Sequence, residues 1–463
     1  MDRRVARVRH PARRQRVREA AGHRAGKPVR VVVPFVAAAI VSALLVVALP
    51  AGTASASPPH WTVVHSPNRG STDVLYGVSC PGPTWCVAVG NYEVGNSVQS
   101  LVESWDGTTW SVSPTPDTGL YGNQLQAVSC VSPTDCVAVG RVGNGTTFIL
   151  MWDGDAWSVA PTSSGTEGSL LGVSCTSSTN CVAVGSDNGA FIETWDGNTW
   201  TVTDNNGSSL YGGALSSVSC VSSISCLAVG WDINPSTEAY SPLVETWDGS
   251  DWLVVSTAAL NASRFYGVDC TSTTNCLVVG EGSTLETWNG TTWTSEGSND
   301  GFVNFYSIAC PDTTCTIGAH NDIKNHAWLY SFIGTFPIFV PEPRVHGTFY
   351  GVSCPSTISC VAVGNQGHKT LIETGYPDVY FPKKHPWHVG ASVAVSGYGF
   401  VPSSTCTVFW DDISSEPLAT AQVDSDGRLA TSITVPPTSV GKHTVLVEDP
   451  VSGVVVPARL TVK

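Results

Sequence analysis

Cysteine pairs recur along this 463-residue chain at nearly regular intervals. Fourteen of the 15 cysteines form seven pairs whose members are separated by five residues, or by four in the sixth pair. The first members of successive pairs are 50, 45, 45, 50, 40 and 44 residues apart. A sequence period of about 40 to 50 residues is typical of propellers and solenoids, so the chain is expected to consist of seven structural repeats. The pairs are Cys80 with Cys86, Cys130 with Cys136, Cys175 with Cys181, Cys220 with Cys226, Cys270 with Cys276, Cys310 with Cys315, and Cys354 with Cys360.

Short runs of alternating apolar and polar residues predict four β-strands in each repeat. In the first repeat these runs span residues 75–80, 86–90, 101–105 and 109–112, with turn-forming residues between them. The period of two continues after residue 57, which leaves little room for helix. Each repeat is therefore expected to form one four-stranded antiparallel sheet, and the chain is expected to be all-β.

Two kinds of tight turn join the predicted strands. The first contains the sequence Trp-Asp-Gly-x-x-Trp, in which the glycine tolerates the positive φ that hairpin turns require. It begins at Trp105 and recurs at Trp152, Trp195, Trp247 and, with Asn289 in place of Asp, at Trp288. The second turn lies between the two cysteines of each pair, at the end of one strand and the start of the next.

A disulfide across each cysteine turn would hold an antiparallel hairpin together. Each small loop closed in this way adds roughly 2 kcal/mol to stability. Zinc binding is the alternative for paired cysteines, but structural zinc sites use closer spacing and four converging ligands, and no histidine lies at a fixed offset from the pairs. Cys406 has no partner in this pattern. It is expected to be a buried thiol, with an intermolecular disulfide as the alternative.

The two ends of the array predict that it closes on itself. The seventh repeat runs through residues 371–374 and then lacks a fourth strand, whereas residues 60–64 form a strand with no repeat of their own. Pairing the two would complete a seventh sheet and remove the free sheet edges. A small residue also lies three positions before each pair, as expected if seven inner strands crowd around one axis. These residues are Gly77, Ala127, Gly172, Ser217, Gly267, Ser307 and Gly351.

The repeats resemble those of secreted bacterial β-propellers with the form V-S-C-x5-C-V-A-V-G followed by W-D-G-x-x-W. The resemblance covers residues 60–375 and implies a seven-bladed β-propeller closed by an N-terminal strand. The sixth repeat departs from it, because Phe332-Ile333-Gly334 stands where Trp-Asp-Gly is expected.

Residues 376–463 have a different character. Short alternating strands follow a proline-rich stretch, and the segment resembles the immunoglobulin-like β-sandwich domains at the ends of exported bacterial proteins. Asp424-Ser425-Asp426-Gly427 could begin a calcium loop, but it lacks the later ligands and is expected to be a hairpin turn. The propeller is assigned to residues 57–375 and the sandwich to residues 376–463.

Residues 1–56 have the order of a secretory signal. An arginine-rich start precedes an apolar stretch from Val31 to Ala51 and the small-residue sequence Ala54-Ser55-Ala56, after which cleavage is expected. The alternative is an uncleaved anchor, because about 20 apolar residues nearly span a bilayer. Membrane contact is expected only through this segment if it is retained. The protein is therefore expected to be secreted and extracellular, either free or associated with the cell surface.

The charge of the remaining chain makes nucleic acid a poor candidate partner. Residues 1–56 contain 11 of the 23 basic residues and two of the 37 acidic residues, so the rest of the chain has 12 basic and 35 acidic residues, a net charge of −23. Such a surface repels phosphate backbones.

A ligand face is expected where the connections between strands vary most. The second-to-third and fourth-to-first connections share one end of a propeller, and variable loops on a rigid scaffold concentrate binding residues. Most of the arginines and several histidines of the mature chain fall there and suit an anionic glycan or carboxylate, with a metal site or scattered solvated side chains as alternatives. The candidates are Arg69, Arg141, Arg264, Arg344, His320, His326, His346, His368 and Trp231.

Two other repeated residue types are expected to be structural. A glutamate precedes the Trp position by two residues in five repeats, and five equivalent acids suit a repeated buried hydrogen bond better than an unequal catalytic pair. The tryptophans are expected to pack between sheets rather than to stack on sugars. The glutamates are Glu103, Glu193, Glu245, Glu286 and Glu373.

The sequence thus predicts a binding or scaffold protein that presents a propeller loop face to an extracellular glycan or protein. It carries no catalytic, metal or cofactor motif that we can assign, and no cofactor is expected. An extracellular carbohydrate-active hydrolase or lyase that uses the arginine and histidine face is the alternative.

Overall fold

The computed structural model describes residues 60–116, 122–160, 167–203, 212–257, 260, 262–296, 302–312, 314–333, 336–339, 345–381, 386–401, 403–425 and 427–463. The predicted export segment lies outside these residues. Within them, no helix is long and apolar enough to cross a membrane.

Seven antiparallel sheets, one from each cysteine repeat, make up most of the described chain. Sheets one to three contain β2 (Asp73–Gly82), β3 (Trp85–Val94), β4 (Ser97–Trp105) and β5 (Trp110–Val112); β6 (Asn123–Ser132), β7 (Asp135–Val142), β8 (Thr147–Trp152) and β9 (Trp157–Val159); and β10 (Ser169–Ser177), β11 (Asn180–Ser186), β12 (Ala190–Trp195) and β13 (Trp200–Val202).

Sheets four to six continue the same order of strands. They contain β14 (Ala214–Ser222), β15 (Ser225–Ile233), β16 (Tyr240–Trp247) and β17 (Trp252–Val254); β18 (Phe265–Ser272), β19 (Asn275–Gly280), a 3-10 turn (Glu281–Ser283), β20 (Leu285–Trp288) and β21 (Trp293–Ser295); and β22 (Val303–Ala309), β23 (Thr314–Asn321), β24 (His326–Ile333), β25 (Phe336–Phe339) and β26 (Val345–His346).

The seventh sheet joins the two ends of the array, as the sequence predicts. It contains β27 (Thr348–Ser356), β28 (Ser359–Gln366) and β29 (Lys369–Tyr376), and its outer strand is β1 (His60–Val64). In this pair Trp61 lies opposite Gly375 and Val64 opposite Ile372. The first strands of all seven sheets contact one another in sequence order, and β27 contacts β2, so the ring closes. The arrangement is a β-propeller.

Small residues allow the seven inner strands to approach one another. A Cβ added at Gly77 would lie 3.0 Å from Ala127 Cα, and one added at Gly351 would lie 2.8 Å from Tyr76 O. Both contacts are to the backbone of the next sheet, where a side chain could not move aside. The predicted crowding around the axis is therefore confirmed.

All seven predicted disulfides are formed, each across the hairpin between the first two strands of a sheet. The second cysteine of every pair is at most 5% exposed and packs into the apolar core between sheets, so the bonds are structural and do not leave thiols free to bind a metal. The zinc alternative is therefore wrong. The bonds join Cys80 to Cys86, Cys130 to Cys136, Cys175 to Cys181, Cys220 to Cys226, Cys270 to Cys276, Cys310 to Cys315, and Cys354 to Cys360.

The Asp-Gly turns have the same construction in sheet after sheet. In the first of them, Asp106 Oδ1 accepts hydrogen bonds of 2.8 Å from the N–H groups of Thr108 and Thr109, and Gly107 has a φ of +92°. The positive φ explains why glycine follows the aspartate in this turn. In the second sheet, the indole of Trp152 donates to Pro133 O at 3.1 Å, which ties an Asp-Gly turn to a cysteine turn.

The tryptophans pack within and between the sheets, as the sequence predicts. Trp105 and Trp110 face each other across their hairpin with ring centroids 5.7 Å apart. Trp157 of sheet two is buried in a cluster with Val87 and Val102 of sheet one. These contacts bury aromatic surface between neighbouring sheets and help hold the ring together.

The C-terminal segment forms two further sheets around a core of its own. The first contains β30 (Asp378–Tyr380), β31 (Ser392–Tyr398) and β34 (Leu429–Thr434), and the second contains β33 (Ala419–Gln422), β32 (Thr405–Trp410), β35 (Gly441–Asp449) and β36 (Val454–Val462) in that order. Cys406 is fully buried in this core, as expected for a structural thiol, and burial raises its pKa to about 12. Asp424 lies in a turn, where its Oδ1 accepts a hydrogen bond from Arg428 N at 2.8 Å.

Candidate functional site

The two ends of the propeller differ in what covers them. We call the end with the β3–β4 and β5–β6 connections and their equivalents the loop face, and the opposite end the cysteine-turn face. Ile358, in the cysteine turn of sheet seven, is fully buried within the core of the C-terminal sheets. The C-terminal segment therefore packs against the cysteine-turn face at this sheet, which agrees with a ligand site at the other end.

A β-bulge interrupts the first strand of every sheet of the propeller. In sheet one, Leu75 and Gly77 pair with the consecutive residues Gly90 and Val89, so Tyr76 is the extra residue. A bulge of this kind leaves the extra residue outside the ladder and redirects its side chain. The equivalent residues of the other sheets are Gln126, Leu171, Ser216, Tyr266, Tyr306 and Tyr350.

A glycine on the second strand makes room for most of these bulges. A Cβ added at Gly90 would overlap Val74 O, and one added at Gly364 would overlap Thr348 O. Gly140, Gly185, Gly230 and Gly280 have the same relationship to the strand beside them. The repeated V-A-V-G sequence thus ends in glycine because a side chain there would collide with the backbone leading into the bulge.

The seven bulge residues line one end of a cavity on the axis of the propeller. The cavity has a volume of about 170 Å³ and is lined by the bulge residue, the small residue and the following Val or Ile of each inner strand. All seven bulge residues are half-buried. Because they lie towards the start of the inner strands, they surround the end of the cavity nearest the loop face. We call this ring the axial mouth.

Aromatic side chains occupy one side of the axial mouth. Successive ring centroids are 6.5 Å apart from Trp231 to Tyr266, 5.3 Å from Tyr266 to Tyr306, 5.5 Å from Tyr306 to Tyr350 and 5.3 Å from Tyr350 to Tyr76. These five residues form a continuous aromatic arc, with Trp231 at one end and Tyr76 at the other. The bulge residues that complete the ring are Gln126, Leu171 and Ser216, so the mouth has an aromatic side and an aliphatic or polar side.

The hydroxyls of Tyr76, Tyr266 and Tyr306 in the arc stay protonated near neutral pH. The pKa of Tyr306 is raised to about 12, mainly by burial and to a smaller extent by Tyr266, Tyr350 and Asp322. Burial also raises the pKa of Tyr76, with Arg141 acting in the opposite direction. Neutral phenols can donate a hydrogen bond and present an uncharged aromatic face, so the arc can contact both polar and apolar parts of a ligand.

A hydrogen-bonded group in sheet six adjoins the middle of the arc. Asn304 is hydrogen-bonded to Tyr306, and its Nδ2 donates to Asp322 Oδ2 at 3.1 Å. Gly282 N donates to Asn304 Oδ1 at 3.1 Å, which fixes the orientation of the amide. His320 Nε2 lies 3.6 Å from Asp322 Oδ1. The Asp322 side chain is 52% exposed, so its carboxylate is accessible from solvent beside Tyr306.

The arginines predicted from the sequence contact side chains of their own chain. The Arg69 guanidinium lies 5.5 Å from the centre of the Tyr92 ring, and Arg141 Nε donates to Gln124 Oε1 at 3.1 Å. The Arg264 guanidinium lies 3.5 Å from the centre of the Tyr240 ring and is also hydrogen-bonded to Tyr266. Arg344 lies outside the described residues. The structure therefore places Arg264 and Trp231 at the same tyrosine, Tyr266, and gives Arg69 and Arg141 separate local partners.

The predicted histidines fall in three places on the loop face. His326 and His346 lie opposite each other on β24 and β26, with ring centroids 4.6 Å apart. His320 lies beside Asp322. His368 Nδ1 lies 3.4 Å from Thr72 Oγ1. Among the described residues, no three His, Cys, Asp or Glu side chains come together in an arrangement that could hold a metal ion.

The repeated glutamates are buried inside the sheets, each in a different sheet. All five are 0–2% exposed. Ser66 donates to both carboxylate oxygens of Glu103, at 3.0 and 2.9 Å, and Thr147 donates to Glu193 at 3.2 Å. Neither carboxylate oxygen of Glu373 has a hydrogen-bond partner among the described residues. A sugar chain cannot reach carboxyl groups at this depth, so they do not form the paired acids of a glycosidase.

Burial is the main influence on these carboxyl groups. It raises the pKa of Glu103 to about 8, Glu193 to about 7 and Glu373 to about 8. The hydrogen bonds from Ser66 and Thr147 act in the opposite direction on Glu103 and Glu193. The predicted hydrogen bond to each glutamate is therefore present in some sheets, whereas Glu373 is simply desolvated.

The axial mouth could not be recognised from the sequence in the way that the loop face could. Tyr76, Tyr266, Tyr306 and Tyr350 sit within strands whose alternating pattern hides a single inserted residue. The one feature of the sequence that points to these bulges is the glycine that ends each V-A-V-G run, because an isolated glycine inside a strand often faces a bulge.

No family model matches this chain, and no curated protein matches it. Solved structures do. YCF48 bound to a D1 peptide is 15% identical with a TM-score of 0.50, over 69% of this chain and 97% of that chain. YCF48 from Cyanidioschyzon merolae is 17% identical with a TM-score of 0.48, over 68% and 98%. The WD40 β-propeller domain of Doa1 is 10% identical with a TM-score of 0.49, over 68% and 97%. At this level of identity, the similarity to the first structure establishes the β-propeller fold alone.

Proposed function

We propose that this protein is an extracellular binding or scaffold protein that uses the loop face of a seven-bladed propeller to hold a glycan or protein ligand. The observation that carries the proposal is the axial mouth, where four bulged inner strands present Tyr266, Tyr306, Tyr350 and Tyr76, and Trp231 of β15 extends them into one arc. Tyrosine and tryptophan are enriched in binding surfaces because they give large contact areas with few rotatable bonds.

The location and domain organisation belong to the same proposal. Residues 1–56 would direct export, residues 57–375 would form the propeller, and residues 376–463 would form an immunoglobulin-like sandwich that supports the cysteine-turn face. Seven disulfides suit an oxidising compartment such as the extracellular space, since cytosolic thiols are kept reduced.

Either ligand class is compatible with the aromatic arc. A sugar can stack on tyrosine rings while its hydroxyls bond to Asn304 and Asp322. A protein partner is also reasonable, and one propeller of similar fold, YCF48, has been solved with a bound peptide.

The test is retention of ligands by the immobilised full-length protein. Extracellular protein extracts and insoluble polysaccharides are passed over wild type, a double variant with Trp231→Ala and Tyr306→Ala, and an Ile224→Ala control. Ile224 is 64% exposed in a cysteine turn on the opposite face. We expect a ligand that wild type and the control retain and the loop-face variant loses. Equal retention by all three proteins, or none by wild type, would contradict the proposal.

A further inference from the structure

We infer that the axial mouth is a socket for one lysine or arginine side chain of a protein partner, inserted between the aromatic arc and Asp322. This inference rests on the proposed function and specifies the ligand of the same site.

The size of the cavity favours a single side chain. Its volume is about 170 Å³, whereas pockets that enclose whole small-molecule ligands have volumes of roughly 300–1,000 Å³. The small residues Gly77, Gly172, Gly267 and Gly351 leave its wall without bulk, below the ring of larger bulge residues. A narrow shaft with an aromatic rim fits an extended aliphatic stem that carries a polar end.

The loop face already uses its aromatic rings to hold cations. Three cation–π contacts occur among the described residues, and all three lie on this face. They join Arg69 to Tyr92, Arg264 to Tyr240 and Lys324 to Trp328, with distances of 5.5, 3.5 and 5.3 Å to the ring centres. The tyrosines of the arc offer the same kind of surface, and aromatic faces bind ammonium and guanidinium groups through the ring quadrupole.

The charges around the arc indicate where an added cation would sit. Arg264 is hydrogen-bonded to Tyr266, and Arg141 acts electrostatically on Tyr76, so each of these tyrosines already has a cation of the protein as well as an acid, Glu281 or Glu93, among its charged neighbours. Tyr306 lies between them and has the half-exposed carboxylate of Asp322 as its charged neighbour. An incoming cation is therefore expected beside Tyr306 and Tyr350, where it meets an acid rather than an arginine.

The overall charge of the protein supports a basic partner. The chain after residue 56 has a net charge of −23, which attracts cations over long distances and speeds the encounter with a basic protein. The arginines of this face point to the same conclusion, because Arg69 and Arg264 stack on tyrosines of their own chain instead of forming a free patch for an anion.

A display selection can test the ligand class directly. A phage library of random linear heptapeptides is panned on the immobilised full-length protein, and an array of polysaccharide fragments is probed in parallel. We expect selected peptides to share one lysine or arginine. Replacing that residue by norleucine, which keeps the stem and removes the charge, should weaken binding roughly tenfold.

Variants of the protein separate a socket from general attraction to a basic peptide. The double change Tyr306→Ala with Tyr350→Ala should weaken binding of the selected peptide by at least fivefold, roughly, and so should the single change Asp322→Asn. Tyr306→Phe should retain binding because the aromatic ring remains. Ile224→Ala removes an exposed aliphatic side chain from a cysteine turn on the opposite face and should have no effect. Circular dichroism and the disulfide count establish that each variant is folded.

The results distinguish this inference from the proposed function. Selected peptides that lack a shared basic residue, or that bind equally well with norleucine, overturn the inference. Sugars held through Tyr306 and Tyr350 without any peptide binding also overturn it, and they leave the proposed function intact. Failure of both libraries to bind through the loop face would count against both.

Discussion

The side chain of Ser353 accepts a hydrogen bond of 3.0 Å from the backbone N–H of Cys80, although the two residues are 273 positions apart. The bond joins the last sheet of the ring to the first. An equivalent hydrogen bond, from the N–H of the first cysteine of one sheet to a side chain of the preceding sheet, is found around most of the ring. It joins Cys130 to Ser79, Cys175 to Ser129, Cys220 to Ser174 and Cys270 to Ser219, and Asp269 takes the place of serine for Cys310.

This series of hydrogen bonds explains why serine occurs in the repeated V-S-C sequence. In five of the seven repeats a serine precedes the first cysteine, and its hydroxyl accepts a hydrogen bond from the N–H of the corresponding cysteine in the following sheet. Ala309 occupies the position in sheet six, so the ring lacks that acceptor between sheets six and seven. There Ser307 instead accepts a hydrogen bond from Val352 N at 3.0 Å.

Replacing Ser353 by alanine should therefore weaken the closure of the propeller. The change removes the acceptor of a largely buried N–H group, which costs about 1–2 kcal/mol of unfolding free energy. Denaturant unfolding of the full-length protein measures the effect, and exposed Ser111→Ala is the control. A Ser353→Ala protein as stable as the control would show that β1 and the packing of the inner strands close the ring without this bond.

The small residues of the inner strands should tolerate little enlargement. Gly351→Ala places a Cβ 2.8 Å from Tyr76 O and 3.1 Å from Gly77 Cα, and relieving that overlap should cost about 1–3 kcal/mol. Gly82→Ala is the matched control, because no atom lies within 4 Å of its added Cβ. Thermal unfolding compares the two, and equal stabilities would mean that the inner strands can separate at low cost.

The repeat, the disulfides and the closing strand could all be predicted from the sequence because each depends on spacing along the chain. A pair such as Cys80 and Cys86 needs only a hairpin to bring it together, and residues 60–64 could be recognised as a strand without a sheet. The register within a strand is harder to predict. One inserted residue, such as Tyr76, reverses the direction of a side chain without disturbing the apolar pattern around it.

The partners of charged side chains on the loop face could not be predicted either. Topology alone places Arg264 and Trp231 near the same end of the propeller. Whether Arg264 faces solvent or stacks on Tyr240, 24 positions away in the sequence, depends on how two loops from adjacent sheets pack. The roles of these side chains in binding stay predictions that the variants above can test.

The oxidation state of the cysteines gives a simple chemical prediction. Seven disulfides make the intact mass about 14 Da lower than that of the reduced protein, since each bond removes two hydrogens. Cys406 is fully buried, and its raised pKa keeps the thiol protonated. We expect no labelling by iodoacetamide in the native protein and one label in denaturant. Labelling of the native protein would mean that the C-terminal core opens readily.

His443 should be sensitive to pH within the C-terminal sheets. Its Nδ1 lies 2.7 Å from Asp411 Oδ2 and its Nε2 lies 2.9 Å from Ser439 O, and these two interactions raise its pKa. His443 holds its proton more tightly in the folded state than in the unfolded chain. Its contribution to folding stability is therefore complete below the unfolded pKa of about 6.5, and it is lost as pH rises through the folded pKa. An NMR titration should show the raised pKa, and Asp411→Asn should lower it. An unchanged midpoint in that variant would rule out Asp411 as the cause.

Glu373 should make the propeller less stable as pH rises. Burial raises its folded pKa from 4.5 to about 8, so the folded state holds a proton that the unfolded state releases. The stabilisation is complete below an unfolded pKa of about 4.5 and is lost as pH rises towards about 8. Glu373→Gln keeps a neutral side chain at every pH, and it should be more stable than wild type by roughly 4 kcal/mol at about pH 7.5 and by only about 1 kcal/mol at about pH 5.

Glu167→Gln is the control for that comparison, because the side chain is exposed and the same charge is removed. Unfolding in urea is measured at several pH values, all below the range where disulfides rearrange. These measurements give the slope of the unfolding free energy against pH for each protein. Glu103 and Glu193 have raised pKa values of about 8 and 7 for the same reason, so the single change should flatten the wild-type slope only in part. An identical slope in wild type and Glu373→Gln would show that water or a local movement solvates this carboxylate.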